Sequence, residues 1–352
     1  MDEISQEVIV RMKNFIGEND IYIMTDSTPM RGYNIENVII GVLTTNTIKP
    51  MLIQCNFTNN PMTGNHIMNI IKNTLEKFFC NDPNYKHRIK FFISDQARNM
   101  LKCGELLKQE YQNMMHVICM VHALHNVCLT IINNTLYVKH FIHLMNSILS
   151  RNIKHISYFK QVFKQSIPTP VITRFGSFLQ TSCFYFHNYS CIESFLNLVL
   201  ENRPSSNNSS YYSTIQELLH YNLKNLLSKL EEINNYNFLV KYINDLESNK
   251  IQLNKQIEII EHIRILLQGD LRSRINSIIS NNPDYQNLID KIKNENLEND
   301  NLKYLTLSSV DVERSFSILR KVLKEGTFKL THKSINNYMV IRYNKLMEYV
   351  EL

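Results

Sequence analysis

The sequence predicts an α/β fold built on a mixed five-stranded sheet in the order 3-2-1-4-5, interrupted by an all-α insertion before its last helices. Three observations lead there. Three runs rich in β-branched residues follow one another across short, turn-prone connections within the first 60 residues. Two further strand-like runs then alternate with amphipathic helical stretches as far as residue 132. From residue 133 the apolar period is helical almost throughout.

Over residues 3–16, Ile4, Val8, Met12 and Phe15 or Ile16 recur at helical spacing and stop at Gly17. The three strand-like runs are Ile21 to Thr25, Val38 to Thr44 and Met51 to Phe57, separated by Pro29, Gly32, Asn34 and Pro50. Such connections suit an antiparallel meander. Thr63-Gly64 opens a helix with Ile67, Ile70, Ile71, Leu75 and Phe78 on one side. After Pro83, residues 89–93 read as a fourth strand, Met100 to Tyr111 as a helix, His116 to Met120 as a fifth strand and Ala123 to Ile132 as another helix. A meander followed by crossover helices that add two parallel strands is the plan of a ribonuclease H-like sheet. Strands one and four are then neighbours, and each ends in an aspartate, Asp26 and Asp95, at the carboxyl edge where open α/β sheets place their sites.

The insertion, residues 133–300, shows its period best from Ile215 to Leu230 and from Ile251 to Leu267, with a loop over Arg203 to Ser213 and a mobile polar stretch over Asn281 to Asn301. Ser308 to Leu323 then reads as an amphipathic helix capped by serines, carrying Glu313 on its first turns, and a second helix runs from Ser334 to Tyr349. Residues 1–132 are thus the first part of the core, 133–300 the insertion, and 301–352 the helices that complete the core.

With 352 residues and 44% hydrophobic content, the chain can bury one large core or two modest ones. No stretch offers 18 consecutive apolar residues, and the opening MDEISQEVIV has no signal-peptide pattern, which points to an intracellular, soluble protein without a membrane span. Seven cysteines without a Cys-x-x-Cys pair argue against a disulfide framework or a cysteine-rich zinc finger. A net charge of +6 fits a polyanion partner, although an abundance of Asn, Ile, Lys and Tyr of the AT-rich kind would raise it equally well.

Three separated motifs carry a resemblance: IYIMTDSTPMRGYNIENVIIGV from residue 21, FFISDQARNM from 91 with CMVHALHNVCL from 119, and SSVDVERSFS from 308, followed by a helical segment ending near Asn344. Together they resemble the hAT-family DNA transposases. The resemblance implies a catalytic and metal-binding triad of Asp26, Asp95 and Glu313, holding Mg²⁺ or Mn²⁺. It matches Cys119 and His122 to the family's Cys-x-x-His pair, read as a packed, hydrogen-bonded support for the second Asp strand. Thr173-Arg174-Phe175 matches part of the element after the core, making Arg174 and Phe175 nucleic-acid contacts. The C-terminal block corresponds to the dimerisation region, implying a homo-oligomer acting on DNA in the nucleus.

The implied chemistry is DNA cleavage and strand transfer, with two divalent cations roughly 3.5 to 4 Å apart assisting in-line attack on a phosphodiester. Arg31, Arg98, Arg174, Arg314, Arg320 and Lys321 are the basic candidates for phosphate contact, Arg314 alternatively orienting Glu313 by ion pairing. A structural zinc on Cys119, His122, His125 and Cys128 is disfavoured, because nine residues of helix put the two cysteines on opposite faces. The sequence departs from the family in having no Trp, with Ser27-Thr28 and Phe175 where tryptophans are usual, and in leaving no room for an N-terminal BED zinc finger before the first strand. The alternative function is a domesticated, non-catalytic DNA-associated or dimerisation protein descended from a transposase.

Overall fold

In the computed structural model, which describes residues 2–80, 82–168, 175–203, 210–248, 250–294, 301–324 and 330–346, helix α1 (Asp2–Ile16) leads into three strands, β1 (Ile21–Met30), β2 (Tyr33–Val42) and β3 (Met51–Thr58). Strands β1 and β2 form a longer hairpin than the sequence predicts, pairing from Ile21↔Val42 to Met30↔Tyr33. Pro29 reads as a strand breaker, yet it sits at the hairpin's far end, and Arg31 and Gly32 close the turn with φ of 52° and 82°. Positive φ at both turn residues matches the right-handed twist of the flanking strands.

Helices α2 (Gly64–Phe78) and α3 (Tyr85–Arg88) precede β4 (Ile89–Ser94), and α4 (Arg98–Glu110) precedes β5 (Met115–Ile118). The sheet order is β3-β2-β1-β4-β5, with β1 antiparallel to β2 and parallel to β4, and β4 parallel to β5. The protein is therefore α/β with the mixed five-stranded order that the strand pattern implies. One sheet face, carrying Ile21, Ile23, Val38, Ile40 and Phe92, packs on α1, α2 and α4 through Met12, Ile67, Ile71, Leu75, Met100 and Leu107. Alternation of side chains sends Tyr22, Met24, Ile39, Phe91 and Ile93 to the other face, where they are also buried.

The chain then runs through α5 (Met120–Asn134), α6 (Leu136–Arg151), α7 (Ile153–Phe163), α8 (Phe175–His187), α9 (Tyr189–Glu201) and α10 (Ser210–Glu217). A π-helical turn, Leu218–Asn222, leads into α11 (Leu223–Asn234) and α12 (Phe238–Leu246). After these come α13 (Leu253–Leu266), α14 (Gly269–Ser280), α15 (Tyr285–Asn294), α16 (Val310–Lys324) and α17 (His332–Leu346).

Two compact units result: residues 1–123, 245–268 and 272–352 form the first, and residues 124–244 with 269–271 the second. No strand occurs among the described residues of the second unit, whose core gathers Phe159, Phe163, Phe184, Tyr185 and Phe195, the first two stacked at 4.1 Å. The π turn frees backbone carbonyls there, and tyrosines satisfy them: Tyr137 donates to the Asn222 carbonyl (3.2 Å) and Tyr189 to that of Leu223 (2.7 Å).

In the first unit both sheet edges are sealed by side chains that imitate a neighbouring strand. On β5, the His116 amide donates to Asp284 Oδ2 (2.7 Å), the Asp284 amide donates to the His116 carbonyl (3.1 Å), and the Ile118 amide donates to Asn282 Oδ1 (2.9 Å). On β3, Asn344 of α17 accepts from the Leu52 amide (3.2 Å) and donates to its carbonyl (2.9 Å), while Asn336 accepts from the Cys55 amide (2.8 Å). Edge groups left open would template aggregation. The polar stretch from Asn281 is thus anchored rather than mobile: it holds the docked Asn282 and Asp284 and then α15, with Tyr285 and Leu288 buried. Its residues 295–300 lie outside the described residues.

Candidate active site

In the β1–β4 register Met24 stands beside Ile93, and two residues further along each chain come Asp26 and Asp95. Both aspartates accordingly fall on the face of Met24 and Ile93, away from α2 and α4. Across the hairpin Asp26 pairs with Asn37, whose side-chain amide donates to Ser315 Oγ on α16 at 2.6 Å. That bond ties α16 to the sheet beside Asp26, two residues after Glu313. Asp26 does not end its strand as the sequence predicts, since β1 runs on to Met30; its Oδ1 accepts from the Ser27 amide within the strand (2.7 Å), whereas Asp95, just past β4, has Oδ1 held by the Ala97 amide of its turn (3.0 Å). Asp26, Asp95 and Glu313 all keep part of their surface exposed.

The Asp26 carboxyl is pushed up to about 7, chiefly by burial, next by the charge of Asp95, and to a smaller extent by Glu313; the His122 charge and the Ser27 amide oppose this. Like charges disfavour one another's ionised form, so beyond the effect of burial Asp95 and Glu313 lie near enough for their charges to act on Asp26. The topology thus brings together Asp26, Asp95 and Glu313.

A second layer of contacts organises the Glu313 side. Cys119 caps α5: its Sγ accepts from the His122 amide at 3.5 Å and, across the chain, from the Ser309 amide at 3.2 Å just before α16. The sequence places residues 119 and 120 in the fifth strand, but β5 ends at Ile118 and the helix starts at Met120. The His122 ring bridges Ser309 Oγ (Nδ1, 3.3 Å) and Glu313 Oε1 (Nε2, 3.1 Å). Burial works against charge on both partners, yet the mutual attraction of Cys119 and His122, the hydrogen bonds from Ser309 and the Glu313 carboxylate hold the thiol below and the imidazole above their usual ranges. Ser309, His122 and Glu313 thus form a Ser-His-acid array. Ser309 is only 1% exposed and its amide is committed to Cys119, so the array lacks an accessible nucleophile.

The donor set is three carboxylates, hard oxygen ligands suited to Mg²⁺ or Mn²⁺ rather than to soft metals. Among the described residues no group of three His, Cys, Asp or Glu side chains forms a ready-made cage for one ion. A two-ion site asks for only one or two carboxylates per ion, the remaining positions going to water and phosphate oxygens, so the donor chemistry fits although no closed cage is preformed.

Arg314 does not take the ion-pairing role toward Glu313: its guanidinium meets Asp311 Oδ1 at 2.8 Å and donates to the Glu247 carbonyl at 3.1 Å. Asp311, fully buried, has no counterpart in the sequence reading, although the same SSVDVERSFS segment carries it. Arg31 donates to the Leu323 carbonyl and so caps the last turn of α16. Arg98, Arg320 and Lys321 are exposed. Arg174 lies outside the described residues; Phe175 opens α8 in the second unit, and its side chain is likewise outside them. Ser309 is one of the capping serines that the sequence marks, whereas Asn37 and Ser315 are not singled out by sequence; the available signal is polar residues placed where strand and helix periods demand apolar ones. Neither a protein-family model nor a curated protein sequence matches the chain.

Proposed function

We propose that this chain is a hAT-transposase-like protein with a ribonuclease H-type core, which cleaves and joins DNA strands with Asp26, Asp95 and Glu313 as its cation-holding carboxylates. The observation that carries this reading is geometric: the parallel β1–β4 register sets Asp26 and Asp95 on one face, two residues past Met24 and Ile93, and the Asn37–Ser315 bond ties the helix of Glu313 to the sheet beside Asp26, whose carboxyl is raised by burial and then by the charges of Asp95 and Glu313. A divalent cation is the natural counter-charge for such crowding. When bound, Mg²⁺ or Mn²⁺ would polarise the phosphodiester and assist the attacking and leaving oxygens.

The protein's own groups have distinct tasks. Asp26 presents its carboxylate from within β1, two residues past the last β1–β4 pair, and Asp95 from just beyond the end of β4, with the amides of Ser27 and Ala97 each fixing one oxygen. His122 holds Glu313, its imidazole raised toward the charged form, against burial, by Cys119 and then by Glu313, so it positions that carboxylate and adds positive charge beside it. Arg98, Arg320 and Lys321 offer sequence-independent attraction to the DNA backbone. A nuclear location and a homo-oligomer go with the same reading.

One observation favours a second reading, a non-catalytic DNA-associated or dimerisation protein: one oxygen of Glu313 is already held by His122. Strand nicking of supercoiled plasmid in Mg²⁺ or Mn²⁺, with Asp95→Asn and Glu313→Gln as controls, separates the two. Nicking by the parent chain that disappears in both variants supports the catalytic reading. DNA binding without nicking under either cation supports the second.

A further inference from the structure

We infer that Ser94 and His116 are positioning residues for Asp95: a buried hydrogen-bond relay on the opposite side of the sheet fixes the turn from which Asp95 projects. The inference rests on the reading of Asp95 as a cation ligand, since it says how that carboxylate is held. Ser94 is the last residue of β4, and His116 lies directly beside Phe92 in the β4–β5 ladder. Both are buried, Ser94 at 0% and His116 at 1% exposure, on the face that α4 covers.

Their side chains meet at 2.9 Å, and Ser94 Oγ also donates to the Asp95 carbonyl at 2.9 Å. A serine hydroxyl has one proton. Once that proton points to the Asp95 carbonyl, Oγ can only accept from the imidazole, so the relay runs from His116 Nε2–H to Ser94 Oγ–H to the Asp95 carbonyl. The Ser94 carbonyl is fixed as well, accepting from the Cys119 amide at 2.7 Å, and the Ala97 amide closes the turn onto Asp95 Oδ1 at 3.0 Å. The backbone on both sides of the Asp95 α-carbon is therefore pinned.

Helix α4 is shaped to admit the imidazole. A Cβ at Gly104 would stand 2.1 Å from His116 Nδ1, so the helix crosses the ring at a residue without a side chain. The ring also lies 4.9 Å from that of Phe92. An apolar pair would fill this layer without the cost of desolvating a hydroxyl and an imidazole. What the polar pair adds is direction at the Asp95 turn.

The test uses the full chain with Ser94→Ala, Ser94→Thr and His116→Phe, and reads amide exchange at Ala97 by NMR together with Mn²⁺ affinity by paramagnetic resonance. Ser94→Ala, the mildest change, keeps the experiment decisive if His116→Phe does not fold. The expected result is a melting temperature close to the parent's, with Ala97 exchange accelerated about tenfold or more and Mn²⁺ bound about tenfold more weakly in Ser94→Ala and His116→Phe, both restored by the hydroxyl of Ser94→Thr. Parent-like Ala97 exchange in folded Ser94→Ala overturns the inference. If the parent itself binds no Mn²⁺, the cation-site reading fails, while the exchange measurement still decides whether the relay holds the turn.

Discussion

Replacing Glu36 by Gln is expected to stabilise the protein, and increasingly so as the pH rises. Glu36 lies on β2 with no surface exposed, and only one of its oxygens is engaged: Thr25 Oγ1 donates to Oε1 at 2.9 Å, while Oε2 has no hydrogen-bond partner. Burial pushes its carboxyl up to about 8, the Thr25 hydrogen bond opposes that, and the charge of Asp26 adds to it. The unfolded chain releases this proton near 4.5, so between 4.5 and about 8 the folded state binds one proton more than the unfolded one. Stability therefore falls as pH rises across that window and levels off above it, at about 1.4 kcal/mol per pH unit and on the order of 5 kcal/mol in all. The group is fully buried, so solvent screening does not soften the effect. Glu36→Gln keeps an oxygen for Thr25 and removes the titration. Urea unfolding of both proteins at pH 4.5, 6 and 8 should show curves that nearly coincide at pH 4.5 and separate by several kcal/mol at pH 8, the variant being the more stable. Parallel curves, or a variant less stable at pH 8, would refute a buried, protonated Glu36.

Other consequences concern the site and its frame. Because a cation needs the Asp26 carboxylate and that group sits up at about 7, Mg²⁺ affinity should climb close to tenfold per unit as pH rises toward 7 and flatten above it, with proton release on binding; calorimetry in buffers of different ionisation enthalpy checks this, and a flat profile from pH 5.5 to 8 contradicts it. Arg314→Ala removes the guanidinium paired with the Asp311 carboxylate, whose side chain is 1% exposed; with Arg314 itself 39% exposed, a loss of about 2 kcal/mol in denaturant unfolding is expected, and no loss would show the pair to be incidental. Asn344→Leu removes both the acceptor and the donor that serve Leu52 at the β3 edge and should cost about 2 kcal/mol with faster amide exchange along β3, whereas unchanged exchange would deny the edge-sealing role.

How far the sequence spoke for itself depended on the range of the interaction. The strand order was legible because each strand is a short β-branched run and the crossovers leave few topologies open. Asp95 could be singled out because it follows β4 directly, and Asp26 because the apolar run before it stops there, although β1 itself continues to Met30. Pro29 hid the second half of β1, since a proline at a hairpin's end cannot be told from a breaker without its partner strand. Cys119 was read into a strand that stops one residue earlier, because a sulfur acting as a helix cap has no local signature. Ser210 to Ser213 reads as loop yet opens α10, a turn of polar residues carried by the helix that follows it. Least legible were the bonds between distant segments: Asn37 with Ser315 and Cys119 with the Ser309 amide. These decide how α16 meets the sheet, and no residue spacing encodes them.

Crowded carboxylates that recruit a divalent cation are the centre of this account, and Mn²⁺ binding followed by paramagnetic resonance at pH 7.5 tests it without needing the right DNA. The parent chain should bind Mn²⁺ in the micromolar to low millimolar range, competed by Mg²⁺, and Asp26→Asn and Asp95→Asn should each abolish most of that binding while remaining folded. Binding that survives both substitutions, or no binding by the parent at several millimolar Mn²⁺, would contradict it.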